Sequence, residues 1–220
     1  MRATEYIDWK RKYLNGSKIY LVLDGDICRS ADRMLHIAKK AAESGVDIIQ
    51  LRAKNLSARD FISVASKLKR HLLKYRLPLI VNDRLDIARI SGADGIHLGQ
   101  DDIPIALAQR LIGKHAIIGI SCHSQAQSFR AQREGADYIS IGPIFFTPTK
   151  PAYRPVGLGL LRRINVKITI PFFAIGGINL LNLKSVLDAG ASRIAVVREI
   201  CQARNIPDKI SELKHAFRNR

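Results

Sequence analysis

One phrase recurs four times along this chain and restricts its fold more than any other feature. "ESGVDII" (43–49), "SGADGIH" (91–97), "EGADYIS" (134–140) and "DAGASRIAV" (188–196) share one grammar. Each ends a helical stretch on Gly, the residue suited to closing a helix C-terminus, and then launches an apolar strand. Between and around these phrases lie short runs rich in Ile, Val and Leu. They are 19–23, 47–52, 78–82, 95–99, 116–121, 138–142, 171–177 and 193–197. None alternates strictly with polar residues, which is how strands buried on both faces of a parallel sheet read.

Helical spacing fills the gaps at 30–45, 57–75, 124–135 and 179–190, several starting at a Ser or Asn suited to an N-cap. Eight strands alternating with helices leave two architectures. A doubly wound sheet would carry a Gly-rich nucleotide fingerprint after its first strand, and "DGDICRS" after Leu23 has none. A closed (β/α)8 TIM barrel accommodates eight units in about 200 residues. The expectation is an α/β chain with a single barrel domain at 18–220. A short N-terminal helical extension occupies 1–17, with its helix at about 4–13 packed outside the barrel.

Composition narrows the setting. Of 220 residues, 47% are hydrophobic, enough for one large core, and no apolar run is long enough to span a bilayer. The opening segment is charged and has no secretory apolar region. Three separated cysteines, Cys28, Cys122 and Cys201, make no disulfide framework or zinc spacing. A reducing, cytoplasmic location is expected. The net charge of +17 attracts anions, either phosphorylated metabolites or polyanions. The basic residues are dispersed without the aromatic interleaving of RNA-binding surfaces, so small anions are expected as partners and nucleic acid is not. A homo-oligomer is compatible with the sequence, which leaves that question open.

In such barrels the loops after the strands build the site. The polar residues there are Gln50, Arg52 and Lys54; Asn82, Asp83 and Arg84; Gln100, Asp101 and Asp102; Ser121 and His123; Thr147, Thr149 and Lys150; and Arg198. Carboxylates at neighbouring strand ends suit Mg²⁺, and the cations beside them suit a di- or triphosphate. Taken alone, "NDR" and "GQDD" read equally well as capped turns. The glycines of "AIGGIN", followed by Arg198, suggest a second phosphate site. His97 reads as a satisfied core residue. His123 reads as a helix-start residue or a proton shuttle. In "GPIFFTPTK" the two aromatics are expected to wall the pocket.

Six ordered motifs, "QLRAK", "IVNDR", "DGIHLGQDD", "GISCHS", "ADYISIGPIFFTPTK" and "AIGGI", resemble the thiamine-phosphate synthase family over residues 18–200. The resemblance implies a barrel that joins a hydroxymethylpyrimidine pyrophosphate to a thiazole phosphate with Mg²⁺. Carried over by position, Gln50, Arg52, Lys54, Asn82 and Lys150 would hold the pyrimidine pyrophosphate. Asp83 and Asp102 would bind Mg²⁺, and Ser121 would lie beside the reacting pyrimidine, with Ser121 and Lys150 as the catalytic pair. Thr147, Thr149, Gly177, Val197 and Arg198 would face the thiazole phosphate. Arg198 stands in "VVREI" where the family commonly has Ser, and "LVLDGD" replaces the more usual first strand. The related thiazole tautomerase is the alternative, with His123 as its shuttle. A basic scaffold or nucleic-acid-binding barrel is a remoter one.

Overall fold

The computed structural model describes Lys10, residues 12–150 and residues 152–218. Eight parallel strands close into a barrel in sequence order: β1 (Ile19–Asp24), β2 (Ile48–Arg52), β3 (Leu79–Asn82), β4 (Gly95–Leu98), β5 (Ile117–Cys122), β6 (Tyr138–Ile141), β7 (Phe172–Ile175) and β8 (Ile194–Val196). The helices on the outside begin with α1 (Gly25–Cys28), α2 (Ala31–Glu43), α3 (Ala58–Leu73), α4 (Leu85–Ser91) and α5 (Ile105–Ile112). They continue with α6 (Gln125–Arg133), α7 (Gly157–Asn165), α8 (Leu180–Asp188), α9 (Arg198–Cys201) and α10 (Ile206–Arg218). The expected TIM barrel is present.

Two apolar layers hold it together. The larger lies between strands and helices and takes one parity of each strand, including Leu21, Leu23, Ile49, Leu51, Ile139 and Ile141. The other parity points inward, where Tyr20, Val22, Ile48, Ile80, Ile117, Tyr138, Phe173 and Ala195 pack the barrel centre. Gly119 is required there, because a Cβ at that position would sit 2.0 Å from the Tyr138 ring.

The recurring phrase has a second function at the N-terminal ends of the strands. Asp47, just before β2, accepts backbone N–H groups from Lys18 and Ile19 with Oδ2 at 2.8 Å each. Asp94, before β4, accepts from Leu79 N at 2.9 Å, and Lys69 Nζ reaches its other oxygen at 2.5 Å. Asp137, before β6, accepts from Ile118 N at 2.8 Å and from Lys10 Nζ at 2.9 Å. Each aspartate therefore ties its own strand to the start of the preceding one. A bond to a charged acceptor is worth about 1.5–3 kcal/mol. In the fourth repeat Ser192 stands there instead, and the next residue, Arg193, donates to Leu14 O and Asn15 O.

Residues 1–9, the bulk of the expected N-terminal helix, lie outside the described residues. Residues 12–16 are helical, but they do not pack on the outer face. Leu14 joins the inner cluster, so this segment closes the bottom of the barrel. The barrel needs such a plug because its interior is apolar at that end.

Candidate active site

At the opposite end a cavity of about 320 Å³ opens into the barrel mouth. Its wall includes Gln50, Arg52, Asn82, Ser121, Thr147, Thr149, Lys150, Gly177, Val197 and Arg198, ten of the expected site residues gathered from six strand ends. Lys54, Asp83 and Asp102 are not part of that wall; they gather beside one another after β2, β3 and β4, close enough to Lys150 for Lys54 and Asp83 to act on its charge. The strands deliver these side chains because their inward parity turns polar near the C-terminal ends: Val22 is followed by Asp24, Ile48 by Gln50 and Arg52, and Ile80 by Asn82.

The unusual first strand, "LVLDGD", acquires a meaning. Asp24 is buried and divides its carboxylate: Oδ1 accepts from Asp26 N and Ile27 N, capping α1, and Oδ2 pairs with Arg52 Nη1. Arg52 is thereby fixed across the mouth, with its remaining N–H donors available. Asp24 was legible only through parity, since it lies two residues beyond Val22 and four beyond Tyr20.

Lys54 Nζ pairs with Asp83 Oδ2 at 3.1 Å. Asp83 sits at φ 59°, a left-handed conformation held by its N–H donating to His97 O at 2.9 Å. Asp102 Oδ2 accepts from Gly99 N at 2.6 Å, so "GQDD" is also a closed turn. Burial, together with the facing Asp83 carboxylate, pushes the Asp102 carboxyl above its ordinary range. Two carboxylates held against each other are stabilised by a divalent cation with oxygen ligands, so the pair fits Mg²⁺. Among the described residues no group of three or more His, Cys, Asp or Glu side chains converges to form a self-sufficient metal cage.

Lys150 is brought into the same field. Burial and the nearby positive Arg52 lower its ammonium pKa, while Asp83 acts in the opposite direction. Its Nζ lies 5.5 Å from the Tyr153 ring centre. Thr149 Oγ1 accepts from Arg198 Nε at 3.2 Å, joining the loop after β6 to the start of α9.

Gly176 and Gly177 have φ of 99° and 66°. A Cβ on Gly176 would lie 2.5 Å from Pro143, and one on Gly177 would lie 2.6 Å from Phe146 O. Their carbonyl neighbourhood accepts the same loop: Ile144 N donates to Ile175 O at 2.9 Å and Phe145 N to Gly176 O at 3.0 Å. The glycines thus seat the "GPIFFTPTK" loop as well as lining the cavity.

Two expectations change. Phe145 packs into the outer layer, and only Phe146 reaches the cavity, 67% exposed at its rim. His123 donates from Nδ1 to Gly142 O and its ring lies 4.8 Å from that of Tyr153, so it braces the loop. His97 is buried and bonded as expected, but it also lines the cavity with Tyr20 and Ser140, which sequence reasoning did not select.

The site has relatives. The thiamine monophosphate synthase family model matches residues 19–200. A thiamine-phosphate synthase of Chloroflexus aurantiacus is 40% identical over 215 residues, covering 97% of this chain and 95% of that one. The Clostridium novyi protein of the same name is 42% identical over 184 residues, covering 83% and 90%. Among solved structures, a thiamine phosphate pyrophosphorylase from Pyrococcus furiosus superposes with a TM-score of 0.84 at 32% identity, covering 96% of this chain and 98% of that one. With a family model spanning the barrel and relatives of this identity and coverage, this chain belongs to the thiamine monophosphate synthase family.

Proposed function

We infer that the chain is a thiamine-phosphate synthase, a transferase. It joins 4-amino-2-methyl-5-hydroxymethylpyrimidine pyrophosphate to 4-methyl-5-(2-hydroxyethyl)thiazole phosphate, releasing pyrophosphate. The observation that carries this reading is that Arg52, Lys54 and Lys150 lie close enough to act on one another's charge, beside a cavity that Gly177 and Arg198 also line. The first group suits a diphosphate and the second a monophosphate.

Breaking the pyrimidine-methyl C–O bond leaves charge on a departing diphosphate, so the reaction needs preorganised positive charge more than a strong base. Arg52, locked by Asp24, presents fixed N–H donors without reorganising. Lys150 brings a second cation to the same group, and relief of its repulsion with Arg52 favours the anion's binding. Asp83 and Asp102 would hold Mg²⁺, whose charge stabilises the leaving diphosphate. The thiazole nitrogen then captures the pyrimidine-methyl cation, while Gly177 and Arg198 hold the thiazole phosphate in line. Thr147 and Thr149 lie between the two anion positions. His123 spends Nδ1 on Gly142 O while its ring lines the cavity; what favours the synthase over the tautomerase is the group Arg52, Lys54 and Lys150, because a tautomerase has no diphosphate to hold. The three cysteines are unpaired and buried, and no described helix is long and apolar enough to cross a membrane. A cytoplasmic location is part of this proposal.

The test is direct: incubate the purified protein with both substrates and Mg²⁺ and assay thiamine phosphate. Formation of product that ceases on chelation supports the reading. Absence of product with authentic substrates refutes it.

A further inference from the structure

Under the cavity floor runs a chain of hydrogen bonds that the bond-breaking chemistry does not use. Gln50 Nε2 donates to Tyr20 Oη at 2.7 Å. Tyr20 Oη lies 2.8 Å from Tyr138 Oη, and Tyr138 Oη lies 2.9 Å from His97 Nδ1. His97 Nε2 is 3.0 Å from Ser121 Oγ, with Ser140 Oγ sharing it at 3.3 Å. Tyr20, Gln50, Tyr138 and His97 are all buried, while the two terminal side chains, Gln50 and Ser121, both line the cavity.

Proton counting fixes how such a chain can be arranged. The buried His97 ring faces only hydroxyl groups, at Nδ1 and at Nε2, and no carboxylate, which favours the neutral imidazole, and burial raises both tyrosine hydroxyls above their ordinary range. Near neutral pH each member is therefore uncharged, and the imidazole carries one N–H and one lone pair. Every oxygen can both give and receive only if the bonds run head to tail. When Gln50 donates to Tyr20, Tyr20 donates to Tyr138 and Tyr138 donates to His97 Nδ1. His97 must then carry its proton on Nε2 and donate to Ser121. The Ser121 hydroxyl proton is left to point into the cavity, and Gln50 offers its Oε1 there. Rotating the Gln50 amide by 180° reverses every bond, so that the cavity meets an amide donor and a serine acceptor.

We propose that the Tyr20–Tyr138–His97 chain is a positioning device that locks Gln50 and Ser121 into one correlated pair, an acceptor and a donor. Such a pair recognises an amidine edge, an amino group beside an unprotonated ring nitrogen. It rejects the 4-oxo edge, in which donor and acceptor are exchanged. The inference rests on the synthase reading for its substrate. It adds that discrimination of aminopyrimidine from oxopyrimidine depends on the hydrogen-bond chain that orients Gln50 and Ser121, and not on those two side chains alone. A site whose buried groups are matched to one edge leaves them unpaired against the other, the arrangement that gives steep selectivity.

The first measurement needs no turnover. ¹⁵N NMR of the imidazole, with the His97 signal assigned by its loss in His97→Gln, is expected to show the Nε2–H tautomer. A predominant Nδ1–H tautomer overturns the assigned direction. The second compares kcat/KM for the 4-amino pyrimidine pyrophosphate and its 4-oxo analogue in Tyr138→Phe, which deletes one hydroxyl from the middle of the chain. The amino-to-oxo ratio should fall at least tenfold, with KM for the thiazole phosphate unchanged. An unchanged ratio overturns the positioning role, and Tyr20→Phe supplies an independent cut. If neither substrate pair yields product in the unsubstituted protein, the synthase reading fails, whereas the tautomer still reports on the chain.

Discussion

The two ends of this barrel are both rich in charge, and they use it in opposite ways. At the N-terminal end each carboxylate is consumed. Asp47, Asp94 and Asp137 accept backbone N–H groups from the neighbouring strand, and Lys69 and Lys10 neutralise the latter two. At the C-terminal end the cations are in excess: Arg52 has Asp24 and Lys54 has Asp83, but among the described residues Lys150 and Arg198 pair with no carboxylate. The pairs at the N-terminal end contribute stability and no chemistry. Cations without a carboxylate partner are left for an anion, as expected of a site that binds phosphates.

Substitutions at the two ends should separate these roles. The largest effect is expected for Lys150→Ala, which should lower kcat/KM by about 10²–10³-fold, the scale for losing one preorganised charge-stabilising group. Its thermal midpoint should not fall. A destabilised protein with normal turnover would break the contrast. Next, Asp137→Ala at the closed end orphans Ile118 N–H and the Lys10 ammonium. It should cost about 2 kcal/mol in urea unfolding, with kcat untouched. A loss of turnover without loss of stability would contradict that assignment.

Arg198→Ala should raise KM for the thiazole phosphate by about tenfold, the scale of one charge-assisted hydrogen bond to a phosphate oxygen. KM for the pyrimidine substrate should stay within about twofold, because Arg198 belongs to the β8 end of the cavity wall and Arg52 to the β2 end. Equal changes in both would remove Arg198 from the phosphate side. The smallest effect concerns pH. Because Asp102 is held above its unfolded range, the folded state binds its proton more tightly than the unfolded chain does. Stability from this group is present at acid pH and is lost as pH rises through its folded titration. Without Mg²⁺, Asp102→Asn should flatten that decline in a urea series. An identical pH profile for both proteins would show that Asp102 is not perturbed.

Much of this molecule was legible from its residues alone. The Gly-to-strand phrase and the eight apolar runs determined the alternation of elements, because a helix end and a buried strand are local patterns of a few residues. The candidate site followed from a rule of placement, that polar groups after barrel strands share one face. Motif order supplied the family. The sequence could not give the pairing of those groups. Asp24 and Arg52 are 28 positions apart and meet because β1 and β2 lie in register. Tyr20 and Tyr138 are 118 apart and meet only inside a closed barrel, where Gly119 leaves room for the ring. His123 read as a helix-start residue or a proton shuttle, and only the tertiary structure shows its Nδ1 spent on Gly142 O while its ring lines the cavity. Local pattern sets which face a side chain takes; which partner it finds there, and so whether its charge is spent or available, is decided by closure of the sheet.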